Sequence, residues 1–181
     1  DNGKEWIVDG AEFDVVIIAN GHYDVANKCP MKIDESFLGP CFHSQDFDKA
    51  DEFEHKTVLL LGGSSSGNDL AERLTKYCDK LIWSPSRVEL SEQEQKTQIG
   101  FVYEEHHHKV KFCGPIASCD ASGSLTLKDA TKSVNDKVDA IIWATGYDFD
   151  FPFIDSQADF NPTIGKKYVS FFKNQNSWQT F

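Results

Sequence analysis

The stretch from Thr57 to Trp83 restricts this chain more than any other part of it. TVLLL (Thr57–Leu61) is an unbroken apolar run of strand length, as expected of a strand covered on both faces. It runs into Gly62-Gly-Ser-Ser-Ser-Gly67, a turn of small residues. Leu70, Ala71 and Leu74 then recur at helical spacing, and Lys80–Trp83 reads as a second short strand. Strand, helix and strand in so few residues form a βαβ unit, whose strands must lie parallel and whose crossover is right-handed. An α/β fold of the Rossmann-like, dinucleotide-binding type follows.

The turn carries chemistry as well as topology. Gly62 permits the tight exit from the strand and Gly67 lets the helix pack close to the sheet, while Ser64 stands where the fingerprint G-x-G-x-x-G has its middle glycine. Serine is small enough to admit a pyrophosphate, and its hydroxyl can donate to one. The free amides around Ser65, Ser66 and Gly67, at the positive end of a helix, would hold the phosphates. The competing reading is a strand–helix turn with no ligand. In NAD binders an acid lies at the end of the second strand, about 20 residues past the first glycine. This chain instead has Trp83-Ser84-Pro85-Ser86-Arg87, with no acid before Glu89. Ser84 and Arg87 can meet a 2′-phosphate with hydroxyl and guanidinium donors, so NADP(H) is expected over NAD(H).

Around the βαβ unit, Trp6–Val8 and Phe13–Ala19 read as strands joined at Asp9-Gly10, and residues 24–56 as an irregular connector. Residues 88–109 lack an apolar period and read as a surface loop. Lys111–Ile116 and Ser124–Leu127 flank Asp120–Gly123 as a hairpin, and Val138–Trp143 is another buried strand. A weak strand is expected at Tyr168–Phe172, followed by a polar run, Lys173–Thr180, with no core to offer. The βαβ unit thus lies between two strands that each end at a glycine-containing break. This order suggests one nucleotide domain (48–144) inserted into another, represented by residues 1–47 and 145–181.

A net charge of −11 argues against nucleic-acid partners and anionic membrane surfaces. The apolar runs are far shorter than a membrane span, and a cytoplasmic location is expected. Five cysteines without CxxC spacing suggest reduced thiols, with no disulfide framework or zinc site. His106-His107-His108 reads as a solvated loop edge, since no further ligands cluster near it in sequence. Neither a Ser/His/Asp arrangement nor a paired-carboxylate site is present, and no residue is assigned a catalytic role.

Four motifs carry a resemblance. Phe37-Leu-Gly39-Pro-Cys-Phe-His43-Ser-Gln-Asp-Phe47 has the form FxGxxxHxxxF and lies just upstream of the nucleotide turn. Ala19-Asn20-Gly21-His22-Tyr23 and Ala144-Thr145-Gly146-Tyr147 are linker-like, and the G-x-S-x-S turn is followed by Asp69. Together they resemble the flavin-containing monooxygenase family, in its branch that includes bacterial trimethylamine monooxygenase, over roughly residues 5–173. Baeyer–Villiger monooxygenases have a similar signature with Trp or Pro at its end, where this chain has Phe47-Asp48. On its own, His43 would read as a structural loop histidine.

The resemblance implies a monooxygenase that uses NADPH and FAD to oxygenate a nitrogen or sulfur atom of a small amine or sulfide with O2, through a C4a-hydroperoxyflavin. Arg87 matches the branch's arginine for the 2′-phosphate, and Gly21 and Gly146 would lie near FAD. The family's N-terminal FAD fingerprint and C-terminal substrate-side segment are missing, and Asn174–Phe181 departs from its pattern. The chain is therefore expected to be part of a longer enzyme, whose full-length form could associate with the endoplasmic reticulum. A non-catalytic fragment that at most binds NADP(H) stays open beside it. A pyridine-nucleotide–disulfide-type reductase would need a CxxC or CxxxxC pair, which the chain lacks.

Overall fold

A computed structural model describes residues 6–13, 17, 19, 21, 23–148, 163–164, 169–173 and 176–179. In chain order its strands and helices are β1 (Trp6–Val8), β2 (Ala11–Phe13), β3 (Val25–Ala26), β4 (Lys32–Ile33), β5 (Cys41–His43), β6 (Thr57–Leu61), α1 (Ser65–Thr75), β7 (Lys80–Ser84), α2 (Glu92–Ile99), β8 (Val110–Phe112), β9 (Ile116–Cys119), β10 (Leu125–Leu127), β11 (Ala140–Trp143), β12 (Tyr147–Asp148), β13 (Thr163–Ile164), β14 (Val169–Lys173) and β15 (Asn176–Gln179). Two compact units result, one from Val25–Asp148 and one from Asp1–Asp24 with Phe149–Phe181.

The Val25–Asp148 unit is built on a five-stranded sheet of order β5-β11-β6-β7-β8, parallel throughout. It is a Rossmann-type α/β arrangement. Alternation along β6 sends Val58 and Leu60 to one face and Leu59 and Leu61 to the other. On the first face they meet Leu70, Ala71 and Leu74 of α1, with Trp83 and Ile142. On the second they meet Ile82, Ile141 and the smaller sheet β10-β9-β4, which contributes Ile116, Leu125 and Leu127. Leu59, Leu60, Trp83 and Ile142 are wholly buried, and each such side chain is worth about 1.5–3 kcal/mol of transfer free energy. The register of β11 on β6 is pinned at one end, where the Asp139 carboxylate accepts from Thr57 N at 2.8 Å and Asp139 N donates to Thr57 O at 2.8 Å.

Several expectations need correction. Residues 88–109 are not a loop: they form α2 and a 3-10 helix over Glu104–Lys109. α2 buries no side chain, so it leaves no apolar period. Its start is set locally, by a capping box in which Ser91 Oγ accepts from Glu94 N and the Glu94 carboxylate accepts from Ser91 N at 2.8 Å. The connector is not wholly irregular either, since Cys41–His43 forms the edge strand β5 beside β11. The segment assigned to one hairpin arm divides at Gly114-Pro115. Val110–Phe112 extends the large sheet, and Ile116–Cys119 pairs with Leu125–Leu127 instead.

In the other unit β1 and β2 form a hairpin with Trp6 opposite Phe13. Asp9 and Gly10 both have positive φ, 51° and 81°, the conformation that a tight two-residue turn requires. Most of the expected Phe13–Ala19 run lies outside the described residues. β13, β14 and β15 form a three-stranded antiparallel sheet, so part of the polar run after Lys173 is strand.

Candidate functional site

The turn between β6 and α1 is held by backbone contacts that exclude side chains. Gly62 has φ of +102°, and a Cβ there would sit 2.2 Å from Ala144 O. A Cβ at Gly67 would sit 2.4 Å from Gly62 O. The strand exit, the first turn of the helix and the end of β11 are thus in direct contact. Gly62 N donates to Ser84 O, and the Trp83 indole N–H donates to Gly62 O at 2.9 Å, which fixes the peptide planes on both sides.

Ser64 occupies the N-cap position, yet its side chain makes no capping hydrogen bond, and α1 has no acid in its first turn. The N–H groups of Ser64, Ser65, Ser66 and Gly67 meet no acceptor among the described residues. The three serines are exposed while Gly67 is buried. A serine N-cap ordinarily satisfies one of these donors itself. Here all remain free, together with three hydroxyls, at the positive end of an eleven-residue helix.

Beyond β7 the predicted residues separate. Ser84 is only 5% exposed, and its hydroxyl donates to Gly114 O at 3.1 Å. Its proton is committed inside the sheet, contrary to the expectation that it would meet a phosphate. Strand alternation explains this, since Ser84 shares the inner face with Ile82. Arg87 is exposed and forms no ion pair among the described residues. Ser86 Oγ accepts from Val88 N, which leaves its proton free. Glu89, the nearest acid, is paired with Lys132 Nζ.

Pro85 and Gln98 line the other side of the turn. A Cβ at Gly63 would lie 2.5 Å from Pro85 Cβ and 3.0 Å from Gln98 Nε2. The Gln98 amide donates to Gly63 O at 3.1 Å and to Asn68 Oδ1. Sequence reasoning missed Gln98; the Ser91-x-x-Glu94 capping pattern could have revealed its helix, though not its contacts.

Gly146, with φ of +81°, lies just past β11. Its carbonyl accepts from Asn27 N at 3.0 Å and from His43 Nε2 at 3.1 Å. The Asn27 amide also donates to Thr145 O, and the Trp143 indole N–H donates to Asn27 O. Nothing in the sequence singled out Asn27. His43 Nδ1 accepts from Gln45 N at 3.1 Å, so only the neutral tautomer with its proton on Nε2 satisfies both bonds. Two other members of its motif pack nearby: Gly39 passes against Asp139 O, and Phe47 stacks on Phe53 with Arg73 over its ring. The buried Thr145 hydroxyl has no hydrogen-bond partner among the described residues. Gly21 (φ +74°) belongs to the other unit.

Burial lowers the His43 pKa, against opposing contributions from the Gly146 carbonyl and Asp46. A base with a depressed folded-state pKa gives stability that is complete above its unfolded value, near 6.5, and lost as pH falls through the folded one. Unfolding free energy should therefore fall between pH 7 and 5 more steeply in the natural chain than in His43→Gln. Chemical denaturation at both pH values tests this, and equal slopes would contradict it.

The five cysteines are free. Burial pushes the Cys113 thiol up to about 12 and those of Cys41, Cys78 and Cys119 up to about 11. Buried thiols held protonated are poor nucleophiles, the opposite of a redox-active pair. Among the described residues no group of His, Cys, Asp and Glu could hold a metal ion, and no helix is long and apolar enough to cross a membrane.

A family model described as pyridine nucleotide-disulphide oxidoreductase matches residues 11–177. The chain belongs to this family. Within it the similarity is to flavin-containing monooxygenases. The chain is 33% identical over 153 residues to a thiol-specific monooxygenase of Saccharomyces cerevisiae, a match covering 80% of this chain and 31% of that protein. It is 31% identical over 143 residues to a trimethylamine monooxygenase of Roseovarius, covering 79% and 29%. The chain therefore spans less than a third of the length of these two relatives. Among solved structures, S-allyl-L-cysteine S-oxygenase from Allium sativum superposes with a TM-score of 0.69 at 19% identity, over 93% of this chain and 37% of that one. This last likeness speaks to the fold of the oxidoreductase family member and to nothing further.

Proposed function

We propose that this chain supplies the NADP(H) site of an FAD-dependent monooxygenase that oxygenates a nitrogen or sulfur atom of a small amine or sulfide with O2. The observation that carries the reading is the set of unsatisfied donors on the Gly62–Gly67 turn, with no acid in the first turn of α1. Amides of Ser64–Gly67 and the hydroxyls of Ser64, Ser65 and Ser66 would hold the pyrophosphate, while Gly62 and Gly67 keep the cradle open. Arg87, with Ser86 beside it in place of the inward-turned Ser84, would hold the 2′-phosphate. The Glu89–Lys132 pair keeps the nearest negative charge compensated.

The nicotinamide supplies hydride and the flavin supplies the oxygen chemistry when they are bound. The residues of this chain bind and orient. Residues 48–144 form the body of the NADP(H) domain in this reading, with Cys41–His43 joining its sheet as β5, and the flanking segments belong to the FAD domain. The hydrogen bonds from Asn27 N and His43 Nε2 to Gly146 O tie the two ends of the Val25–Asp148 unit together. The names of the relatives, all monooxygenases, support the reaction class.

The test is calorimetric titration of the purified chain with NADP⁺ and NAD⁺, together with its absorption spectrum. Tighter binding of NADP⁺ than NAD⁺ supports the reading. Binding of neither leaves the turn a strand–helix junction without a ligand, and co-purified flavin would show that FAD is held without the rest of the relatives' length.

A further inference from the structure

α2 is attached to the domain in an unusual way. None of its side chains is fully buried and only Gln95, Gln98 and Ile99 are half-buried, so apolar packing holds it weakly. Its own start is stabilised by the Ser91–Glu94 capping box. Near its other end, Gln98 reaches the nucleotide turn and uses both protons of its side-chain amide there, on Gly63 O at 3.1 Å and on Asn68 Oδ1. Asn68 belongs to the first turn and a half of α1, and Asn68 N is the donor that opens the helix ladder, to Ser64 O at 2.9 Å. One side chain therefore bridges the peptide before Ser64 and the helix after it.

That peptide matters because it is planar. Fixing the carbonyl of Gly63 fixes the direction of the N–H of Ser64, which is trans to it. A hydrogen bond accepted by the carbonyl also polarises the peptide unit and strengthens its N–H as a donor. The Ser64 N–H is one of the amides left without an acceptor. We propose that Gln98 is a positioning residue for the dinucleotide pyrophosphate, a latch by which α2 orients the Ser64 amide and couples its own docking to cofactor binding.

The proposal rests on the reading of the turn as an NADP(H) site, and two ligands separate the two ideas. NADP⁺ engages the turn and the 2′-phosphate pocket, whereas adenosine 2′-monophosphate engages only the pocket around Arg87. In the full chain, Gln98→Leu should weaken NADP⁺ binding by about fivefold to tenfold, the effect of one hydrogen bond of about 1 to 1.4 kcal/mol. Affinity for adenosine 2′-monophosphate should be unchanged, a result that general loosening of the fold would not give. Gln98→Glu, which sets a carboxylate against two carbonyl oxygens, should weaken NADP⁺ binding at least as much. Hydrogen exchange across residues 91–100 should slow when NADP⁺ is added to the natural chain, and not in Gln98→Leu. Unchanged NADP⁺ affinity in both variants, equal loss of both ligands, or exchange in α2 indifferent to NADP⁺ would each overturn the latch. Failure of the natural chain to bind NADP⁺ would instead remove the reading beneath it.

Discussion

Replacing Gly62 by alanine is expected to destabilise the Val25–Asp148 unit by about 3 kcal/mol or more, enough to unfold a marginal domain. Two costs combine. The residue has φ of +102°, where a side chain is strained, and its Cβ would stand 2.2 Å from Ala144 O. The obstructing atom is backbone at the end of β11, so relief requires the central sheet to move. Gly67→Ala meets Gly62 O at 2.4 Å without a left-handed φ, and should cost less while pushing α1 off the strand end. Urea denaturation followed by circular dichroism measures both. A loss below about 1 kcal/mol for Gly62→Ala would show that the contact relaxes easily.

The second large effect is expected on binding. Arg87→Ala should weaken NADP⁺ about tenfold to a hundredfold, since hydrogen bonds to charged groups are worth about 1.5–3 kcal/mol. NAD⁺ has no 2′-phosphate, so its affinity should stay the same and the preference between the two should collapse. Added salt should erode the difference in the natural chain, because the guanidinium is exposed. Ser84→Ala should change the preference little, as that hydroxyl is spent on Gly114 O. Equal losses of NADP⁺ and NAD⁺ in Arg87→Ala would place the 2′-phosphate elsewhere.

What the sequence reveals of this fold follows burial. β6, α1 and β7 are legible because both faces of those strands and one face of the helix are covered, which writes itself as apolar runs and helical spacing. α2 escapes because none of its side chains is fully buried; its signature is the four-residue capping pattern at Ser91. β5 escapes because three residues at a sheet edge carry too little pattern to read. At the site, the glycines are legible from the demands of a strand–helix turn. Ser84 illustrates the limit, since its partner lies thirty residues on and only the completed sheet brings them together. The same holds for Asn27 and Gln98, whose contacts are with carbonyls far away in sequence.

The strand order has a consequence for how the chain is made. β11 lies between β5 and β6, although both are synthesised long before it, and the Thr57–Asp139 clamp joins residues 82 apart. During elongation on a ribosome, β6, β7 and β8 can associate as soon as they emerge, but β6 then presents an open edge of buried-type residues, Val58 to Leu61. That edge stays unfilled until Trp143 has emerged, while β5 waits without a neighbour. Until then the nascent chain leaves the edge of a wholly apolar stretch unpaired, a template for mispairing. Slow translation between residues 84 and 139 would prolong that exposure, and rapid translation would shorten it.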